Sequence, residues 1–236
     1  MFHKPCCTIY GNDMKVDVGS HIIFLYKEES ELRDVLFNYA YEGVKSNDLC
    51  IIIVSDPRIV DDLKKEISNK RISKDKIDKL ISSLKVSDFY LEDGKFEKDR
   101  TLAKLDKLIK ANPVVRIRVA GQADWVDSSV FNEFNRYEAA VTERFCNQNI
   151  IILCAYDLNR LDFENIIKLI QSHMLILYKE GSSWKISETV ERKIYEQKID
   201  ELESVTKHSV DRELRMVELK ETIEKLKKEL NGYKNK

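Results

Sequence analysis

Leu49-Cys50-Ile51-Ile52-Ile53-Val54-Ser55-Asp56-Pro57 is the stretch that decides the fold. Its first residues form a continuous apolar run rich in β-branched side chains, as in a strand buried on both faces; a half-exposed strand would alternate. Asp56-Pro57 then supplies an N-cap and a first-turn proline for a helix. A strand covered on both faces and followed at once by a helix is the repeating unit of a parallel sheet flanked by helices.

The same step recurs outward from it. Upstream, a short apolar strand at 22–26 precedes a helix at 29–45 with Leu32, Val35, Leu36 and Tyr39 on one face. Downstream, helical periodicity runs to Asn69 and resumes after Ser73, a strand is expected at 84–90, and Asp93-Gly94 marks a turn. Helices at 97–111, 128–146 and 162–173 then alternate with strands at 114–120, 149–156 and 174–178. Residues 1–18 read as a leader, 19–184 as one α/β domain, and 185–236 as a long charged helix, with Gly181-Ser182-Ser183 as the hinge between domain and helix.

Composition narrows the function classes. Among 236 residues, 40 Lys and Arg balance 41 Asp and Glu for a net charge of -1, which leaves no field to draw in nucleic acid or an anionic membrane. The longest apolar runs, 49–54 and 150–155, fall far short of the roughly 20 residues that span a bilayer. With no signal-like core near the start, a cytoplasmic protein is expected. The five cysteines are an odd number and suit reduced thiols.

A parallel sheet invites nucleotide binding, but the phosphate loops are missing. Gly94-Lys95 is followed by Phe96 and lacks the upstream glycine and the Ser or Thr of a P-loop, and no G-x-G-x-x-G occurs. There is no glycine-flanked serine elbow, H-E-x-x-H helix or C-x-x-C pair. His208 lacks the following acidic residue and the proline a turn later that mark phospho-accepting histidines. The sequence therefore predicts a non-enzyme.

The tail carries Met216, Leu219, Ile223, Leu226, Leu230 and Tyr233 in steps of three and four, the seam of a two-stranded coiled coil and hence of a homodimer. Continued backward, the seam turns polar at Arg212 and Ser209, an arrangement that can adjust rather than clamp. The segment 211–220 resembles the R-E-L-x-M-x-E-L-K linker between sensory modules and kinase cores of two-component proteins, many of them archaeal. That resemblance implies a histidine kinase or regulator acting in trans.

Polar and aromatic residues gather around the ends of the strands: His21, Tyr26, Arg118, Trp125, Tyr137, Glu138, Cys154, Tyr156 and His173. In open parallel sheets ligands bind beyond the carboxyl ends of the strands, so these are the candidate binding residues. His21-Ile22-Ile23-Phe24-Leu25-Tyr26, Arg118-Val119-Ala120-Gly121 with Trp125, Tyr137-Glu138, Cys154-Ala155-Tyr156-Asp157 and His173, in that order, resemble the MEDS domain, the methanogen and methylotroph sensory domain. The family pattern often has an acidic residue where this chain has Gln122 and a proline where it has Met174. The resemblance implies a RecA-like fold without its nucleotide-hydrolysing loop and a sensor of a small molecule, hydrocarbon-derived or one-carbon.

Each residue also has a plainer role. Trp125 and Tyr137 can fill core, Cys154 can be a buried small hydrophobe, and Arg118 with Glu138 can form a buried ion pair. His21, His173, Cys154 and Glu138 are donor types that suit zinc or iron if they converge. No metal or cofactor is assigned from sequence. The rivals to a sensor are a scaffold that recruits a partner through its helix, and a metal- or thiol-dependent enzyme.

Overall fold

The computed structural model describes residues 6–11, 14–113, 115–190, 192–194, 197, 206, 212 and 214–223. The chain divides into two units, Met1–Arg192 and Lys193–Lys236. In chain order the first unit contains β1 (Cys6–Tyr10), β2 (Met14–Asp17), β3 (His21–Tyr26), α1 (Glu29–Lys45), β4 (Leu49–Val54), α2 (Arg58–Ser68), α3 (Lys74–Leu80) and β5 (Ile81–Lys85). It continues with α4 (Val86–Phe89), β6 (Leu91–Glu92), β7 (Lys95–Phe96), α5 (Lys98–Ala111), β8 (Ile117–Gln122), α6 (Phe131–Phe145), β9 (Ile150–Asp157), α7 (Phe163–Ser172), β10 (Leu175–Glu180) and β11 (Ser183–Glu188).

A seven-stranded sheet runs β11-β10-β3-β9-β8-β4-β5, parallel throughout except for β11. The apolar run of β4 lies between two cores because alternate side chains point to opposite faces. Cys50, Ile52 and Val54 join α1, α2, α3 and the β1-β2 hairpin in one core, while Ile51 and Ile53 join α4, α5, α6 and α7 in the other. The helix after β4 begins one residue later than Asp56 as its N-cap would require: Pro57 is the cap, and Asp56 Oδ1 accepts from the Arg58 N–H at 3.0 Å.

Four expectations differ from the structure. Residues 1–18 are not a mere leader, because β1 and β2 pair as a hairpin and bury Cys7, Ile9 and Val16. The strand expected at 84–90 is instead β5 at 81–85, and 86–89 is a helical turn. On this edge strand Ser82, Ser83 and Lys85 face solvent, whereas Val86, Phe89 and Tyr90, all buried, follow the spacing of one helix face. Residues 185–188 are not the start of the charged helix but the end of β11, whose Trp184 and Ile186 alternate with polar neighbours. Gly181, at φ 61°, opens the two-residue turn between β10 and β11, so the supposed hinge is a hairpin loop.

The junction from β3 to α1 is only Lys27-Glu28, and Glu31 Oε2 accepts from both of their N–H groups at 2.9 and 3.3 Å. A carboxylate thus occupies the helix start at which a phosphate loop would present its N–H groups. In the second unit, residues 214–223 are helical, and Met216, Leu219 and Ile223 of the expected seam are 50–57% exposed. Leu226, Leu230, Tyr233 and His208 lie outside the described residues. No helix among the described residues is long and apolar enough to cross a membrane.

Candidate functional site

On β3 and β9 the side chains that face α6 and α7 are apolar except at a few positions, and those positions converge. His21 opens β3, and Cys154 lies next to Ile23 in the β3-β9 register. α6 buries Phe131, Phe134, Tyr137, Glu138, Val141, Thr142 and Phe145, the stripe of one helix face, which aims Glu138 and Thr142 at the sheet. His173 caps the C-terminus of α7 in extended conformation, and its ring folds back on the last turn.

Four donors meet there. His21 Nε2 lies 3.0 Å from Glu138 Oε2 and 3.3 Å from Cys154 Sγ. Glu138 Oε2 is also 3.5 Å from His173 Nε2 and 3.5 Å from Cys154 Sγ. The two imidazole centroids are 4.0 Å apart. Exposure is 2% for His21, 5% for Cys154 and 0% for Glu138 and His173, so the group is sealed from water.

The surrounding hydrogen bonds fix both imidazoles. His173 Nδ1 donates to the Leu169 carbonyl at 2.6 Å, which satisfies one of the orphan acceptors of the helix end. Thr142 Oγ1 donates to the Ser172 carbonyl at 2.6 Å and so accepts from His21 Nδ1 at 2.7 Å. Tyr156 Oη donates to Glu138 Oε1 at 2.8 Å. Both Nε2 atoms consequently point their lone pairs into the group, and His173 Nε2 has no hydrogen-bond partner.

Burial dominates the electrostatics. It pushes His21 and His173 down to about 3, so both rings are neutral; His173 is lowered further by His21 and partly restored by Glu138. Burial raises Glu138, opposed by His173, Tyr156 and Cys154. The Cys154 thiol is pushed well up by burial and then by Glu138, the reverse of what activates a nucleophile.

Of the nine candidates, His21, Glu138, Cys154, Tyr156 and His173 assemble. Trp125 and Tyr137 belong to an adjoining aromatic wall, where Trp125 lies 5.2 Å from both Tyr90 and Phe134, and Phe134 lies 6.3 Å from Tyr156. Tyr26 and Arg118 face the opposite core. Arg118 does not pair with Glu138: its Nε donates to Asp48 Oδ2 at 2.7 Å, and its guanidinium lies 5.3 Å from the Tyr39 ring. The site also departs from the carboxyl ends of the strands, because His21 and His173 sit at the amino ends of β3 and β10.

Sequence reasoning missed Thr142, Ser172 and Tyr90. Thr142 was findable, one turn after Glu138 on the same helix face. Tyr90 was hidden by the expected strand; its hydroxyl occupies the space that a Cβ at Gly121 would need, beside Cys154 in the register.

A family model described as MEDS, the methanogen/methylotroph, DcmR sensory domain, matches residues 20–174. No curated protein matches the chain. Among solved structures, a KaiC-like protein from the hyperthermophilic archaeon Pyrococcus horikoshii aligns with TM-score 0.51 at 12% identity, over 80% of this chain and 89% of that one. A second P. horikoshii protein aligns with TM-score 0.46 at 8% identity, over 73% and 88% of the two chains. The first likeness supports the RecA-like architecture, and at such identities a likeness speaks for fold alone.

Proposed function

The chain belongs to the MEDS family, and from that premise we propose that it is a sensory protein whose input is the buried group of His21, Glu138, Cys154 and His173. The output is the helix that includes 214–223, which pairs with a second copy through Met216, Leu219 and Ile223 and hands the signal to a separate kinase or regulator. One observation carries this reading: polar side chains from β3, α6, β9 and the end of α7 converge in the core, where burial is costly unless every polar atom has a partner, and His173 Nε2 has none. A site built from four elements alters their mutual packing when its occupancy changes.

An enzyme would need the same convergence, which is met, and also access for substrate, which is not: the four residues are 0–5% exposed. The short β3-α1 junction with its carboxylate also speaks against nucleotide hydrolysis. A cytoplasmic location fits reduced cysteines, none of which is in a disulfide.

The relay is tested with spin labels on Lys220→Cys in a Cys6→Ser background, measured across the dimer. Glu138→Gln should shift the distance distribution, whereas Cys50→Ser, equally buried on the other face of the sheet, should not. Identical distributions for wild type and Glu138→Gln would overturn the relay.

A further inference from the structure

We propose that His21, Glu138, Cys154 and His173 bind one divalent transition-metal ion of the zinc class, with His21 Nε2, His173 Nε2, Cys154 Sγ and Glu138 Oε2 as its ligands. The inference deepens the sensory reading by naming what the input site takes, yet it stands on the geometry of the site alone.

Spacing is the first argument. All four donor atoms lie within 4.8 Å of one another. A tetrahedral zinc ion with bonds of about 2.0–2.3 Å holds its donors about 3.3–3.6 Å apart. Four of the six separations among these donors, at 3.0, 3.3, 3.5 and 3.5 Å, fall at or just below that edge length, and the other two are no longer than 4.8 Å. Donors this close together suit a single ion.

Proton counting is the second. Each imidazole spends its N–H on an outer acceptor, His21 on Thr142 and His173 on Leu169, so each offers only a lone pair inward. Glu138 Oε2 is a further inward acceptor, and the Cys154 thiol has one proton to share among them. That one proton faces three inward acceptors, and His173 Nε2 is left with no hydrogen-bond partner. A cation satisfies all four lone pairs together, and a thiolate with a carboxylate supplies two negative charges that a divalent ion cancels. The buried centre is then neutral.

The outer contacts are the third. Metal-bound histidines almost always donate their other N–H to a carbonyl, carboxylate or hydroxyl that fixes the ring. Both histidines do so here, and Tyr156 holds the remaining oxygen of Glu138. A mixed set of imidazole, thiolate and carboxylate in tetrahedral array selects zinc over magnesium or calcium, which prefer oxygen ligands at higher coordination number.

The test uses the full chain in a Cys6→Ser background, because Cys6 is the exposed thiol. Protein expressed with added zinc and then desalted should retain one zinc per chain by elemental analysis. Cys154→Ser and the double change His21→Gln, His173→Gln should lose it at least tenfold, while Cys50→Ser keeps it. Thr142→Val should keep the stoichiometry and weaken binding by about 10–100-fold. Cobalt in place of zinc should give a thiolate-to-cobalt charge-transfer band and tetrahedral visible bands in the unsubstituted site, which decides the matter even if a variant fails to fold. Folded protein that retains no zinc, or a cobalt spectrum without the thiolate band, overturns the proposal. Metal bound in the site with no change at the Lys220→Cys labels on its removal would leave the metal centre standing and sink the relay.

Discussion

At the scale of single residues, parity along a strand decides who meets whom. Arg118 and Glu138 were both visible in the sequence as buried charges, but a one-residue step on β8 sends Arg118 to the core that contains Asp48 and leaves Glu138 with the histidines. Asp48 accepts from Arg118 at 2.7 Å and from Arg116 at 2.8 Å, with 2% of its side chain exposed. Asp48→Ala strands the Arg118 charge and should cost about 3–5 kcal/mol in urea unfolding; a loss below about 1 kcal/mol would show that the charge is accommodated otherwise. Gly121→Ala should cost about 1–3 kcal/mol by driving a methyl into the Tyr90 hydroxyl. Tyr90→Phe in the Gly121→Ala background should recover part of that loss, which identifies the collision. The donor types of the site were legible residue by residue, but their convergence was not, since it depends on which face of β3, β9 and α6 each side chain occupies.

At the scale of elements, long periodic segments were legible and short ones were not. The bounds of α1 and the core of β4 follow directly from their apolar patterns, whereas β1, β2 and β11 are short strands whose alternation covers only a few residues. β1 and β11 share one carboxylate of α1: Asp34 Oδ2 accepts from Tyr10 Oη and from Trp184 Nε1, each at 2.8 Å. Burial, then the bond to Asp34, pushes Tyr10 from 10.0 up to about 12. The folded state therefore holds this proton more tightly than the unfolded chain. Its contribution is fully present below pH 10 and is lost as pH rises toward 12. In Tyr10→Phe the fall in stability across that window should be shallower than in wild type, as measured by denaturant unfolding; equal slopes would mean that Asp34 does not hold the hydroxyl.

At the scale of the whole molecule, a RecA-like sheet carries a polar centre between its strands and the α6-α7 layer, and a separate unit carries an apolar helical stripe. Leu214, Met216, Val217, Leu219 and Ile223 are all at least 50% exposed, and the proposed dimer would cover such a stripe. Leu219→Asp with Ile223→Asp should convert a dimer to a monomer in sedimentation analysis without unfolding the first unit; a dimer that survives would place the contact elsewhere. The three-four spacing of Met216, Leu219 and Ile223 needs no tertiary information to be seen, while the convergence of His21, Glu138, Cys154 and His173 required the fold. X-ray absorption at the zinc edge of the full chain reads out whether His21, Glu138, Cys154 and His173 hold a metal ion. A first shell of two imidazole nitrogens, one carboxylate oxygen and one sulfur is expected, the sulfur vanishing in Cys154→Ser; a shell of light atoms alone rules the metal centre out.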